Sequence, residues 1–186
     1  MKRRTILWIT LVPAAVLLVP AAAMQVTDEV AWGWGDFVLA WCLMAGTGLA
    51  YALVAGPTGN RAYRGGVAVA LGSAFALIWG NLAVGLIGSE DNPANLLYGG
   101  VILVGLIGSA WARLQPEAMA RAMAATAVTQ FLVPVVALVI WRPAMSGALA
   151  AVFAPNLGFV LAFAVAALLF RAAATKTHGP RAQAAQ

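Results

Sequence analysis

The amino-acid sequence predicts an all-α protein, a polytopic transmembrane helical bundle with six spans and both termini in the cytoplasm. Of its 186 residues, 63% are hydrophobic and only 9% are charged, whereas a soluble domain carries about 25% charged residues. Apolar runs of about 18–20 residues recur along the chain, each long enough to cross the hydrocarbon core as a helix. The basic residues alternate with these runs in a pattern that indicates orientation.

Helices are expected for each run, because lipid offers the backbone no hydrogen-bond partner and a helix satisfies its own groups. The predicted spans are residues 6–24, 37–55, 67–87, 94–111, 118–140 and 147–170. Glycine and proline at positions 56–60 interrupt the chain after span two, and the segment Gln115-Pro116-Glu117 does so after span four. We therefore expect one transmembrane domain over residues 1–172 and a polar, disordered cytoplasmic tail over residues 173–186.

The first span has a second interpretation as a cleaved secretory signal. Three basic residues at positions 2–4, an apolar stretch and three alanines at positions 21–23 resemble such a signal. The stretch is longer than usual and contains Pro13, so we expect an uncleaved helix. Cleavage would leave five spans and an external N-terminus, and the other helices would keep their direction.

Ten of the eleven basic residues fall on one side of the predicted membrane, and only Arg142 falls on the other. The positive-inside rule assigns the basic side to the cytoplasm. Tryptophans near the span ends, including Trp111 and Trp141, are typical of interfacial anchors. Because topology explains the net charge of +5, the charge does not indicate a nucleic acid, and the expected environment is the lipid bilayer.

Spans three and four contain nearly the same octet, LAVGLIGS at residues 82–89 and ILVGLIGS at residues 102–109. Transporters built from inverted repeats contain similar segments on helices that run in opposite directions, as these two octets do. A three-plus-three repeat would also require span one to resemble span four, and it does not. Small residues also let membrane helices approach closely, so the octets are interpreted first as packing faces. The glycines of the octets are Gly85, Gly88, Gly105 and Gly108, and Gly80 and Gly100 lie two positions before the respective octets. We expect a tight hairpin of these two spans and a similar small ridge, including Ala122 and Thr126, on span five.

The acidic link between the octets also has a structural explanation. Asn92 is predicted to cap the fourth helix, with Pro93 at its first position. Asp91 then lies where a negative charge complements the helix dipole. The functional alternative is an outer-face site for a cation or a partner. Its candidate residues are Asp36, Asn81, Glu90 and Asp91.

Neutral polar residues within the spans provide a second candidate site. Thr47, Gln130 and Asn156 are expected near the midplane of spans two, five and six. One interpretation is a small polar pocket that guides a solute. The other is hydrogen bonding between packed helices, which is common for such side chains in membranes.

Residues for catalysis are scarce. The one histidine, His178, lies in the polar tail, and the one cysteine is Cys42. These two residues cannot supply the three protein ligands of a catalytic zinc site, and a Ser-His-Asp arrangement lacks its histidine in the membrane. We therefore expect no catalytic residue, no metal and no cofactor, and we expect that the protein is not an enzyme.

The segment WGNLAVGLIGSEDNPANLLY, residues 79–98, resembles a segment of small, uncharacterised bacterial inner-membrane proteins. Similar pieces are AMQVTDEV at residues 23–30, GTGLAY at residues 46–51 and MARAM at residues 119–123. The resemblance covers spans one to five and implies a bacterial, multi-pass protein of the cell inner membrane. It carries no established activity, so no functional residue follows from it.

Three hypotheses follow for function. The first is a non-enzymatic membrane protein that acts through helix packing, as a homo-oligomer or as an accessory subunit with another membrane protein. The second is a small carrier or channel for a neutral or cationic solute. The third is a lipid- or pigment-binding membrane helper.

Overall fold

The computed structural model describes residues 3–89, 91–141 and 148–183, and no strand occurs among them. The helices are α1 (Arg3–Ala23), α2 (Trp34–Val54), α3 (Arg61–Ala83), α4 (Leu97–Trp111), α5 (Pro116–Trp141) and α6 (Ala148–Gln183), and a 3-10 turn at Pro93–Leu96 leads into α4. Within these ranges six helical segments are long and apolar enough to cross a membrane. The prediction of an all-helical chain with six potential spans is confirmed at that level.

The helix ends differ from the predicted spans at three places. α3 ends at Ala83, four residues before the predicted end of span three. α6 continues to Gln183, so the predicted boundary between residues 172 and 173 falls inside a helix. α3 also begins at Arg61, six residues before the predicted beginning of span three. The remaining ends agree within a few residues.

Large apolar side chains are exposed along the described helices. Leu18 of α1, Val139 of α5 and Leu168 of α6 are each more than half exposed. Extended apolar surface of this kind is unfavourable in water and is what lipid contact requires.

The chain forms two compact units, Met1–Pro57 and Thr58–Gln186. The division falls in the glycine- and proline-containing segment that the sequence predicts to interrupt the chain. A Cβ atom on Gly56 would collide with the carbonyl oxygen of Ala52. The end of α2 therefore requires glycine at this position.

The first unit consists of α1 and α2, which pack against each other. The Trp41 indole Nε1 of α2 donates a hydrogen bond to the Thr10 carbonyl oxygen of α1, at 3.3 Å. At Gly48 a Cβ atom would lie 3.5 Å from the Ile9 side chain. A polar aromatic contact and a small residue thus hold the two helices together.

In the second unit the helices pack in the order α3, α6, α5, α4, and α3 contacts α4 only marginally. The predicted tight hairpin of spans three and four is therefore wrong. Gly105 and Gly108 of α4 face α5 instead: a Cβ atom on Gly105 would lie 3.5 Å from Thr126 Oγ1, and one on Gly108 would lie 3.0 Å from Ala122 Cβ. The small ridge predicted on span five receives this face.

The beginning of α3 is tied to two other elements of the second unit. Asn60 accepts two backbone N–H bonds of the first turn of α3 and donates from Nδ2 to the Ala173 carbonyl oxygen of α6, at 3.2 Å. The Tyr63 hydroxyl donates to the Leu114 carbonyl oxygen in the α4–α5 turn, at 2.7 Å. The Tyr63 ring also packs edge-on against Phe170.

The two similar octets adopt different structures. The second octet lies within α4, whereas the first leaves the helix after Ala83. Gly85 and Gly88 have φ values of 68° and 74°, a left-handed conformation that glycine adopts without steric cost. We call residues 84–96, of which position 90 lies outside the described residues, the Asn95 loop.

The Asn95 side-chain amide organises this loop. Its Oδ1 accepts from the backbone N–H groups of Leu86, at 3.1 Å, and Ile87, at 2.9 Å. Its Nδ2 donates to the Ser89 carbonyl oxygen at 2.6 Å. Asn95 is only 5% exposed, so one buried amide replaces backbone hydrogen bonds that the helix would otherwise have made.

Asn92 caps the following turn, as predicted. Its Oδ1 accepts from the Ala94 backbone N–H at 3.0 Å, and Pro93 occupies the first position of the turn. Four unpaired N–H groups begin any helix, and this side chain satisfies one of them.

Replacing Asn95 by alanine should lower the free energy of unfolding by about 2–4 kcal/mol, because several buried backbone groups lose their partner together. Asn92→Ala in the same loop is the matched control and should cost about 1 kcal/mol, as for the loss of a helix cap. Reversible unfolding in mixed micelles measures both. Equal costs would contradict the organising role of Asn95.

Candidate functional site

A polar cluster joins three helices of the second unit. The Asn156 Oδ1 atom of α6 accepts from the Tyr98 hydroxyl of α4 at 2.9 Å and from Gln130 Nε2 of α5 at 2.8 Å. All three residues are at most 2% exposed. In an apolar surrounding, such bonds connect helices because the alternative is an unsatisfied polar group.

The orientation of each amide in the cluster follows from a backbone atom. Asn156 Nδ2 donates to the Val152 carbonyl oxygen at 2.7 Å, so Asn156 Oδ1 faces the other two residues. Gln130 must then present its Nε2 to that oxygen. The Gln130 Oε1 atom is left buried, and no donor in the described part of the chain reaches it.

Thr126 lies one turn before Gln130 on α5 and is also buried. Its hydroxyl donates to the Ala122 carbonyl oxygen of its own helix at 2.9 Å. Its side chain forms part of the surface on which Gly105 rests. Thr126 therefore contributes packing between α4 and α5. Because its hydroxyl donates within its own helix, Gln130 Oε1 stays without a donor among the described residues.

The structure brings together two of the three residues of the predicted polar pocket. Gln130 and Asn156 are in direct contact. Thr47 lies in the first unit, where its hydroxyl donates to the Leu43 carbonyl oxygen of the same helix at 2.7 Å. The structure adds Tyr98 to the pair.

The four residues predicted for an outer-face site have different surroundings. Asp36 lies in the first unit and accepts from the Gly33 backbone N–H at 2.8 Å, at the beginning of α2. Asn81 donates from Nδ2 to the Asn95 carbonyl oxygen at 3.3 Å. Asp91 is exposed, and Glu90 lies outside the described residues. Across the part of the chain that the structure describes, no three His, Cys, Asp or Glu residues are grouped to hold a metal ion.

Tyr98 and Asn95 carry the polar contacts that sequence reasoning missed. Both lie at the beginning of a predicted apolar span, where a polar atom must find a partner inside the protein. Tyrosine combines an apolar ring with a hydroxyl that is usually bonded when buried. That rule was the available signal for Tyr98, but it does not identify Asn156 as the partner.

A groove between α3 and α6 is the second candidate feature. It has a volume of about 570 Å³ and is walled by Gly72, Ser73 and Ala76 of α3 and by Pro155, Gly158, Phe159 and Ala162 of α6, among others. The Ser73 hydroxyl is bonded to the Val69 carbonyl oxygen of its own helix. The groove thus presents small and apolar surface.

Chemically, the polar cluster consists of two amides and a phenol. Amide groups do not ionise near neutral pH, so the cluster is suited to accept a hydrogen bond or to hold helices together. Comparison of the chain with protein-family models, curated proteins and solved structures found no match. The geometry of these residues is therefore the basis for a functional proposal.

Replacing Asn156 by leucine should lower the free energy of unfolding by about 2–3 kcal/mol, because Tyr98 and Gln130 both lose a buried partner. Replacing Gln130 by methionine should change it by less than about 1 kcal/mol, because the unsatisfied oxygen disappears together with the donor. Unfolding in mixed micelles distinguishes the two. A Gln130→Met protein as unstable as Asn156→Leu would contradict the assigned orientations.

Proposed function

We propose that this protein is a non-enzymatic integral membrane protein of the bacterial inner membrane that acts through helix packing. Its partner is a transmembrane helix of another polypeptide, either a second copy or a subunit of a larger assembly. The observation that carries the proposal is the groove between α3 and α6.

The groove has the spacing that membrane helices use to associate. Gly72 and Ala76 on α3, and Gly158 and Ala162 on α6, are each separated by four residues and line the groove. Small residues at this spacing share one helix face and allow another backbone to approach closely. Association in lipid then depends on van der Waals packing.

The glycines of the groove also differ from the other packing glycines of this chain. Cβ atoms on Gly66, Gly105 and Gly108 would lie within 3.5 Å of side chains on neighbouring helices. Cβ atoms on Gly72 and Gly158 would meet no atom within 4 Å. The first group serves packing within the chain, and the second is available to a partner.

The double variant Gly72→Leu, Gly158→Leu should lose at least about tenfold in association, since a helix can no longer enter the groove. Folding of the isolated chain should persist, because both positions are open. Gly100→Leu is the matched control: its Cβ also meets nothing within 4 Å, but it lies outside the groove. Native mass spectrometry of protein released gently from its own membrane measures the assembly and identifies its members.

Association that survives the double variant, with unchanged thermal stability, would overturn the packing proposal for this groove. A homo-oligomer would identify the partner as a second copy. A stable complex with a different membrane protein would identify the accessory role.

The orientation rests on the basic residues, ten of which fall on the side that the positive-inside rule assigns to the cytoplasm. The inner-membrane location rests on the resemblance of residues 79–98. Fluorescent-protein fusions at the C-terminus should be folded and fluorescent, whereas fusions in the Asn95 loop should be dark. The reverse pattern would invert the proposed topology.

A second candidate function, a carrier for a neutral or cationic solute, is favoured by the unsatisfied Gln130 Oε1 atom. A buried acceptor with no donor gains free energy when an N–H, an O–H or a cation reaches it. Gln130 and Asn156 form the site in this reading, with Tyr98 as the third wall, and Thr47 is not required.

The carrier hypothesis predicts flux of glycerol or ammonium into proteoliposomes that falls at least about tenfold in Gln130→Met, the loss expected for one buried hydrogen bond. Thr129→Val is the control, because this neighbouring residue is exposed and bonded within its own helix. Equal flux in both variants, or none in the unmodified protein, counts against this candidate.

A further inference from the structure

A cavity of about 200 Å³ lies between α3 and α4, where these helices contact each other only marginally. Its walls include Leu77, Asn81 and Leu82 from α3 and Tyr98, Gly99 and Ile102 from α4. We call it the α3–α4 cavity. It is separate from the groove between α3 and α6.

Asn81, one of the wall residues of this cavity, has a side-chain atom without a partner among the described residues. Asn81 Nδ2 donates to the Asn95 carbonyl oxygen at 3.3 Å, which fixes the orientation of the amide. The Asn81 Oδ1 atom is buried, and no donor in the described ranges reaches it. Asn95 also lines the cavity, but its side-chain oxygen already accepts two bonds from the loop backbone.

The size and lining of the cavity restrict what can occupy it. An apolar cavity of about 150 Å³ holds benzene, and a buried water needs two to four polar partners. The α3–α4 cavity is somewhat larger, is open along the side that includes the exposed Leu82, is mostly apolar and has one wall residue with an unsatisfied acceptor. A single-ring molecule or the end of a lipid fits these conditions better than a cluster of water.

We propose that the α3–α4 cavity is a binding site for a small apolar group that carries a hydroxyl or an amine, with Asn81 Oδ1 as the hydrogen-bond acceptor. The proposal does not depend on assembly through the groove. Two sources supply this chemistry: a free small amphiphile, or a membrane lipid whose headgroup carries N–H donors.

The free amphiphile is tested with phenol and fluorobenzene, which have nearly the same shape but differ in the hydrogen-bond donor. The protein is studied in phosphatidylcholine nanodiscs, because the choline headgroup has no N–H donor. Phenol should bind about tenfold more tightly than fluorobenzene, the ratio expected for one buried hydrogen bond. Ligand-observed NMR and the shift of the unfolding temperature give the two affinities.

Adjacent glycines provide a matched pair of variants. Gly99 lines the cavity and Gly100 does not, and a Cβ atom at either position meets nothing within 4 Å. Gly99→Leu should abolish phenol binding by filling the space, whereas Gly100→Leu should leave it unchanged. Both changes alter helix propensity equally, so the comparison isolates the cavity.

Asn81→Leu should reduce phenol affinity to that of fluorobenzene and leave fluorobenzene unaffected. If this variant does not fold, the Gly99 and Gly100 pair still decides the outcome. Equal affinities of the unmodified protein for phenol and fluorobenzene, or phenol binding that survives Gly99→Leu, would overturn the proposal.

The lipid source is tested in nanodiscs that contain phosphatidylethanolamine and phosphatidylcholine in equal amounts. Retention of phosphatidylethanolamine in native mass spectra, lost in Gly99→Leu and kept in Gly100→Leu, identifies the natural ligand as a lipid. Phenol binding without a lipid preference identifies a free amphiphile. Absence of both phenol discrimination and lipid preference rejects the site.

Discussion

The second unit depends on one shared hydrogen-bond acceptor, Asn156 Oδ1. Two donors from different helices meet at this atom, so α4, α5 and α6 are tied together at one buried point. Apolar packing alone specifies contact but tolerates sliding and rotation, because many apolar pairs have similar energy. A buried polar contact with defined geometry removes that freedom. The pairing of α4 with α5 through Gly105 and Gly108 is compatible with this point and adds close contact along the helices.

Sequence reasoning predicted where the spans lie but not which spans pack against each other. Hydropathy and the breaks at positions 56–60 and 115–117 located six helices, and Asn92 was recognised as a cap because capping depends on neighbouring residues. The α3–α4 hairpin was predicted wrongly, since small residues indicate that a helix face packs closely but not which helix it meets. Gln130 and Asn156 were singled out as polar residues within apolar spans. Their contact, and the participation of Tyr98, depend on how helices distant in sequence are arranged.

Two kinds of unsatisfied surface occur among the described residues of the second unit, and they suggest different roles. The groove between α3 and α6 lacks bulk, which another helix can supply. The amide oxygens of Gln130 and Asn81 have no donor within the described part of the chain, and a small molecule can supply one. These demands are compatible, because the groove and the α3–α4 cavity share no wall residue among those named. A chain with six candidate membrane spans can therefore combine assembly on one helix face with ligand binding on another.

The two octets also have a consequence for evolutionary drift. Gly85 adopts a left-handed backbone, a conformation that asparagine and aspartate tolerate better than other side chains. Gly105 is helical and lies against Thr126, so alanine or serine is the change that it can accept. The two nearly identical octets are thus under different constraints: the first is constrained by backbone conformation and the second by steric contact. Related chains should lose the likeness between their octets first, while each copy keeps the substitutions that its own surroundings allow.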